Sequence, residues 1–271
     1  MNEKNIEYKR FIEERLSIVD KNAEVVPFVL NTIQNKYLLE DYTGNDLVLK
    51  ARQQGFSSLI LALFTADFLI KDNQRNVIVA DNSDNATELL DRVKFFIKSY
   101  QDKVQAKVPL KYNSKYELFN EATNSRYTIG TAENTEFGRS KTITNLHLSE
   151  CFFYPHFDKL LAGALQAVVP TGRILFETTA NGYNYGKTFL DECVLGERSF
   201  KPLFYPASQY YNQEFLEKKK KELKELYPQE YPENSLEAFL TSGEMYFNPQ
   251  SLMWYQENTK SVIEQGTIYG I

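Results

Sequence analysis

At 271 residues the chain is long enough for one large α/β domain, or a domain with a small appendage, around a core of ordinary size. With 42% hydrophobic and 25% charged residues it has the composition of a folded globular protein, which excludes disordered and fibrous classes. A formal charge of −5 excludes a bulk positive field, so any contact with nucleic acid needs a local basic patch.

Only Cys151 and Cys193 are cysteines, with no C-x-x-C pair and no zinc-like histidine spacing, which points to a reduced intracellular compartment. No apolar run approaches the ~20 residues that span a bilayer. The N-terminus is charged rather than signal-like, so the expected location is the cytoplasm, with no membrane partner.

Residues 3 to 21 carry apolar positions at Ile6, Phe11, Ile12, Leu16 and Val19, a spacing that predicts an amphipathic helix packed on the main domain. After Pro27, Phe28-Val29-Leu30-Asn31-Thr32-Ile33-Gln34 and Tyr37-Leu38-Leu39 predict a second helix. Its Gln34 is either an amide that reads an adenine edge or a solvent-facing helix residue. Asp46-Leu47-Val48-Leu49 reads as a buried strand and residues 57 to 70 as a covered helix.

Between them lies Lys50-Ala51-Arg52-Gln53-Gln54-Gly55-Phe56-Ser57-Ser58. A phosphate loop has the form G-x-x-x-x-G-K-[ST]: backbone N–H groups cradle phosphates, the lysine reaches the β/γ-phosphates and the hydroxyl holds Mg²⁺. Gly55 and Ser57 fit that form, whereas Phe56 stands where the lysine belongs and Lys50 replaces the first glycine. A helix N-terminus still favours an anion. Lys50 and Arg52 both remain candidates for the displaced cation, with Arg52 favoured for its planar fork of donors. An ordinary polar turn with a permissive Gly55 is the other reading.

Val77-Ile78-Val79-Ala80 gives another strand and residues 86 to 100 another helix, and strand–helix alternation implies a parallel sheet. Glu117-Leu118-Phe119 and Arg126-Tyr127-Thr128-Ile129 read as edge strands. Ile143-Thr144-Asn145-Leu146-His147-Leu148 is a strand closed by Ser149-Glu150, and Arg173-Ile174-Leu175-Phe176-Glu177 one closed by Thr178-Thr179-Ala180-Asn181-Gly182. Ligand sites gather at such strand ends. Glu150 occupies the place of an acid that polarises water, with Ser149 where an aspartate would support Mg²⁺. Arg139, in Phe137-Gly138-Arg139-Ser140, is either a phosphate-directed arginine or a turn residue.

Residues 183 to 200 predict a helix and loop, and Lys201-Pro202-Leu203-Phe204-Tyr205 a last core strand. Phe215, Leu216, Leu223 and Leu226 give a sparse apolar helix face beside the basic run at 218–221, read as a solvated face. Asn234 with Glu237 is a capping pair. His147 and His156 read as structural, and Trp254 as packed core or lid.

In order, Gln34, Arg52-Gln53-Gln54-Gly55-Phe56-Ser57, Phe137-Gly138-Arg139-Ser140, Leu148-Ser149-Glu150 and Glu177-Thr178-Thr179-Ala180-Asn181-Gly182 resemble the ATPase portion of tailed-phage terminase large subunits. Tyr231-Pro232-Glu233-Asn234, Glu237-Ala238-Phe239 and Ser242-Gly243 are similar to the segment that follows it. The resemblance runs from about residue 28 onward and rests on order and spacing more than on any one motif.

It implies a P-loop α/β fold of the ASCE type: a mostly parallel sheet flanked by helices, with a small C-terminal helical lid. Residues 1–205 would form the core with its N-terminal helical extension, and 206–271 the lid. The implied activity is ATP hydrolysis that drives double-stranded DNA into a procapsid, with ATP and Mg²⁺ as cofactors. Implied partners are DNA, the portal protein, the small terminase subunit and a homo-oligomeric ring, read as a pentamer. The implied place is the host cytoplasm and, transiently, the procapsid portal.

By the same resemblance Gln34 would contact adenine, and residues 50 to 58, Lys50, Arg52, Gln53, Gln54, Gly55, Phe56, Ser57 and Ser58, the phosphates. Ser57, and Ser149 partly through water, would hold Mg²⁺. Glu150 would activate water, Arg139 would serve a neighbouring subunit, and Thr178, Thr179 and Asn181 would couple hydrolysis to movement. Residues 267 to 271 look like the opening strand of a nuclease domain cut before its first acid, so no DNA cleavage is expected. A silent nucleotide-binding scaffold and a helicase-like DNA-stimulated ATPase are the alternatives.

Overall fold

Leu47-Val48-Leu49 is apolar without alternation, the pattern of a strand covered on both faces, and the computed structural model buries it completely. Residues 2–134, 142–240, 251, 254, 255 and 258 are described. Arg139 and its turn, Ser242-Gly243 and residues 267–271 lie outside them.

The chain begins with α1 (Glu3–Arg15), capped by the Asn2 side chain. The helix expected over 3–21 stops there, because the next residues pair instead: β1 (Ser17–Val19) runs antiparallel to β2 (Val25–Pro27). The helix expected from Phe28 starts at α2 (Thr32–Lys36), since Asn31 accepts the Gln34 N–H and Gln34 reciprocates, a capping box. A π turn, Tyr37–Asp41, leads to β3 (Asn45–Lys50) and α3 (Phe56–Ile70). Then come β4 (Arg75–Ala80), α4 (Ser83–Val104), β5 (Leu110–Asn113), β6 (Glu117–Asn120), β7 (Ser125–Thr131) and β8 (Ile143–Ser149). The core closes with α5 (Phe157–Ala167), β9 (Val168–Thr178), α6 (Tyr185–Val194) and β10 (Lys201–Tyr205).

Eight strands form one sheet in the order β10, β3, β9, β8, β4, β7, β6, β5. From β10 to β7 every neighbour is parallel, and β6 and β5 extend the sheet antiparallel. The mostly parallel α/β architecture expected from strand–helix alternation is present. Two strands are placed differently: β6 and β7, read as edges, are both interior, because β7 pairs with β4 and β6, and β6 pairs in turn with β5. The edge on that side is β5, whose residues are largely exposed.

Side-chain alternation divides the core into two layers. Val48, Ile78 and Leu175 pack with α1, α3 and α4, while Leu47, Leu49, Val77, Val79, Leu146 and Phe176 pack with α5 and α6. α3 is apolar nearly all round and is covered along most of its length, with Phe64 and Phe68 buried. A third, small cluster joins Ala51 to Ala207, Tyr211 and Tyr231, and Phe215, Leu216 and Leu223 of α7 (Gln213–Leu223) pack on it. Leu226, expected on that face, is exposed, as is Trp254 at 59%, which removes the packed-core alternative of its two readings. α8 (Tyr227–Glu230) and α9 (Ser235–Leu240) follow, the latter capped as expected by Asn234, which accepts the Glu237 N–H at 2.7 Å. Among the described residues no helix is long and apolar enough to cross a membrane.

Candidate active site

The carboxyl ends of β3, β8 and β9 meet at one point, because β9 lies between the other two in the sheet. β3 ends in Lys50, and the chain then turns through Gln53 and Gly55, both left-handed with φ 57° and 84°, before α3 starts at Phe56. Gly55 is required by sterics as well as by φ: a Cβ there would fall 2.7 Å from Gln34 Nε2.

That contact shows what α2 does. Gln34 Nε2 donates to Gly55 O at 2.8 Å and Asn31 Nδ2 to Gln54 O at 3.1 Å, so the capped helix end grips the loop from one side. Gln34 is buried, and its amide is bonded to the loop and to its own cap. Gln54, also buried, donates to Pro206 O at 3.2 Å. From the other side Arg52 N donates to Glu230 O at 3.0 Å, and Tyr211 OH donates to Arg52 O at 2.7 Å.

The two candidate cations separate. Arg52, favoured from sequence, is 58% exposed and its guanidinium is paired with Glu230. Lys50 is 5% exposed, with Nζ 2.9 Å from Glu150 Oε1 and 3.1 Å from Glu177 Oε2. Burial opposes its charge, but the two carboxylates hold the ammonium above its ordinary value. Phe56 turns its side chain into the core. Its ring is fully buried between Tyr37 and Tyr205, leaving only its main chain for the cleft.

Glu150 follows β8 in a left-handed conformation, φ 51°, fixed by its N–H donating to Glu177 O at 2.7 Å. Both its carboxylate oxygens are engaged: Oε1 by Lys50, and Oε2 by Thr179, whose N–H donates at 2.9 Å and hydroxyl at 3.2 Å. Thr178 Oγ1 donates to Thr179 O at 2.8 Å, and Asn181 Nδ2 to Phe152 O at 3.1 Å. Residues 178 to 181 thus hold the strand end carrying Glu150.

Glu177, the last acid of β9, was not singled out by sequence reasoning. It is fully buried, in register with Ser149. Its Oε1 accepts Ser57 Oγ at 2.8 Å and Ser149 Oγ at 2.6 Å, with His147 Nε2 3.4 Å away. His147, read as structural, therefore lies within the cluster. Burial would raise the Glu177 carboxyl, but the Lys50 charge and the contacts with His147 and Ser149 hold it well below the usual carboxylate range. The signal was available: like Glu150, Glu177 is an acid closing an apolar strand.

These groups open on a cleft of about 700 Å³ lined by Lys50, Gln53, Gly55, Ser57, Ser58 and Glu150. Its far wall comes from the β1–β2 hairpin and α4, with Ile18, Val19, Phe95 and Arg92; Arg92 Nη1 donates to Ser58 Oγ at 3.1 Å. Nothing in the local sequence of α4 marks Arg92, because its role depends on tertiary packing. Oxygen donors suit a hard cation such as Mg²⁺. Ser57 and Glu150 face the cleft and Glu177 is buried behind Ser57, so a hydroxyl and a carboxylate are the cleft donors that fit that ion.

Neither protein-family models nor curated proteins match this chain. Solved structures do. The ATPase domain of the Thermus phage P74-26 large terminase superposes with a TM-score of 0.60 at 15% identity, covering 74% of this chain and 92% of that one. The chain has the fold of a phage large-terminase ATPase domain. The HK97 bacteriophage large terminase matches with a TM-score of 0.67 at 15% identity over 88% of this chain. The large terminase of a thermophilic bacteriophage, in complex with ADP, matches with 0.58 at 13% over 75%. The chain spans about half the length of those two, 55% and 53%. In the terminase ATPase fold described here, the loop around Gly55 opens α3 and the two acids close the neighbouring strands.

Proposed function

We propose that this chain is the ATP-hydrolysing motor domain of a viral DNA-packaging machine. The observation that carries the reading is the convergence, at the start of α3, of a buried Lys50 with Ser57, Glu150 and Glu177. Lys50, displaced from the usual loop position, supplies the phosphate cation from the strand end. Amides of the Gly55 turn and the first turn of α3 cradle the phosphates, and Ser57 holds Mg²⁺. Glu150 activates the attacking water, and Thr179, which already holds its carboxylate, transmits the change to residues 178–181.

Lys50 must leave Glu150 to meet a triphosphate, which frees the carboxylate for water only once nucleotide is in place. The cation sought in Arg52 on side-chain chemistry is thus supplied by Lys50 in this reading, while Arg52 ties the loop to residues 206–231. Double-stranded DNA, the portal, the small subunit and a ring of copies are the partners the reading brings with it, with 1–205 as core and 206–271 as lid.

Steady-state ATP hydrolysis tests it. The wild-type chain should turn over ATP and Glu150→Ala should lose at least about 10²-fold, the scale of a general-base contribution. Equal background rates in the two proteins would leave only a silent nucleotide-binding module.

A further inference from the structure

The chain has no acid at position 149, the strand-end position before Glu150 where metal support was expected, and the structure fills the same point in space from the neighbouring strand. We infer that Glu177, transposed from β8 to β9, is the carboxylate that supports the magnesium ion of the bound nucleotide, with His147 as its positioning residue. The inference rests on the nucleotide reading of the cleft.

Three features carry it. First, parallel register sets Glu177 directly beside Ser149, and both Ser149 and Ser57 donate their hydroxyl protons to the same oxygen, Oε1. A serine hydroxyl that has given its proton to a carboxylate turns its lone pairs outward, and Ser57 lines the cleft, so it is presented as a cation ligand. Second, among the described residues the other oxygen of Glu177 accepts no hydrogen bond and pairs with the Lys50 ammonium at 3.1 Å. A fully buried carboxylate left with a charge and no partner is costly. When Lys50 moves to a triphosphate, a divalent ion held at Ser57 supplies the positive charge that Glu177 loses. Third, among the described residues Lys50 is the one lysine or arginine paired with both Glu150 and Glu177, so a divalent ion would balance the local charge.

Calorimetry with the non-hydrolysable triphosphate AMP-PNP, titrated in Mg²⁺ and again in EDTA, reads this role without turnover. The wild-type chain should bind more tightly in Mg²⁺. Glu177→Gln, isosteric and uncharged, should keep its affinity in EDTA and lose about 10- to 100-fold of the Mg²⁺-dependent tightening, the usual cost of losing an outer-shell partner. If Glu177 served only to hold the loop, Mg²⁺ and EDTA affinities would fall together and the ratio would stay at the wild-type value, which overturns the inference. Ser149→Asp/Glu177→Ser returns the acid to β8. Recovered Mg²⁺-dependent tightening in that variant supports the transposition, and its absence overturns it, which decides the matter should Glu177→Gln fail to fold. No binding by the wild-type chain under either condition would instead remove the nucleotide reading, and the inference with it.

Discussion

Lys50 is a charged side chain in a core position, and it is tolerated there because two carboxylates flank its ammonium. Removing one partner of such a group exposes the full desolvation cost of the other. Lys50→Met should therefore destabilise the fold by about 3–5 kcal/mol and abolish nucleotide binding. Arg52→Ala, at an exposed ion pair with Glu230, should cost within ~1 kcal/mol. Chemical denaturation together with nucleotide titration of the two variants checks this, and the opposite ranking would return the phosphate cation to Arg52. From sequence the two residues could not be ranked on position, and side-chain chemistry favoured the one that the fold leaves exposed. What sets their roles is where the strand stops: Lys50 ends β3 within the sheet, whereas Arg52 has already left it.

At the level of elements, the phosphate loop owes its shape to its neighbours. The α2 capping box holds it through Gln34 and Asn31, and α8 holds it through Glu230. Asn31→Ala removes both a helix cap and the bond to Gln54 O, so it should cost about 0.5–2 kcal/mol and speed amide hydrogen exchange in residues 53–57. Gly55→Ala should cost at least ~1–2 kcal/mol for its left-handed backbone, before the Gln34 amide is displaced. Thermal unfolding with exchange measurements follows both, and unchanged loop protection in Asn31→Ala would show that α2 does not hold the loop.

The elements themselves were largely legible: β3, β4, β8, β9 and β10 announced themselves as apolar runs, and the turns at Gly55 and Gly182 as their ends. The break between Phe28 and α2 was hidden, because Asn31 reads as an ordinary polar residue until its cap is seen. β6 and β7 were misplaced as edges, since a strand with half-buried alternation looks alike beside one neighbour or two. Glu177 closes an apolar strand as Glu150 does, but its role, like that of Arg92, does not show in the local sequence. Each gains meaning from a residue far away in the chain, Ser57 for the one and Ser58 for the other.

For the whole molecule, the site described is one-sided: its acids, lysine and serines come from a single chain, and the reading assigns Arg139 to the next copy in a ring. Mixing Arg139→Ala with Glu150→Ala protein should restore ATP hydrolysis at high concentration, because an interface can then pair an intact Glu150 with an intact Arg139. Each variant alone should stay inactive. A mixture no faster than the two separate proteins would place Arg139 in its own subunit.

The order of strands in the sheet has a further cost during synthesis. β3 emerges early, yet both strands that flank it, β9 and β10, come from residues 168–178 and 201–205. At about 5–20 residues per second on the ribosome, β3 waits on the order of ten seconds for both its neighbours. A nascent chain of this protein thus spends that interval with its first apolar sheet strand unpaired, which makes it a natural client for holding chaperones before any nucleotide can bind.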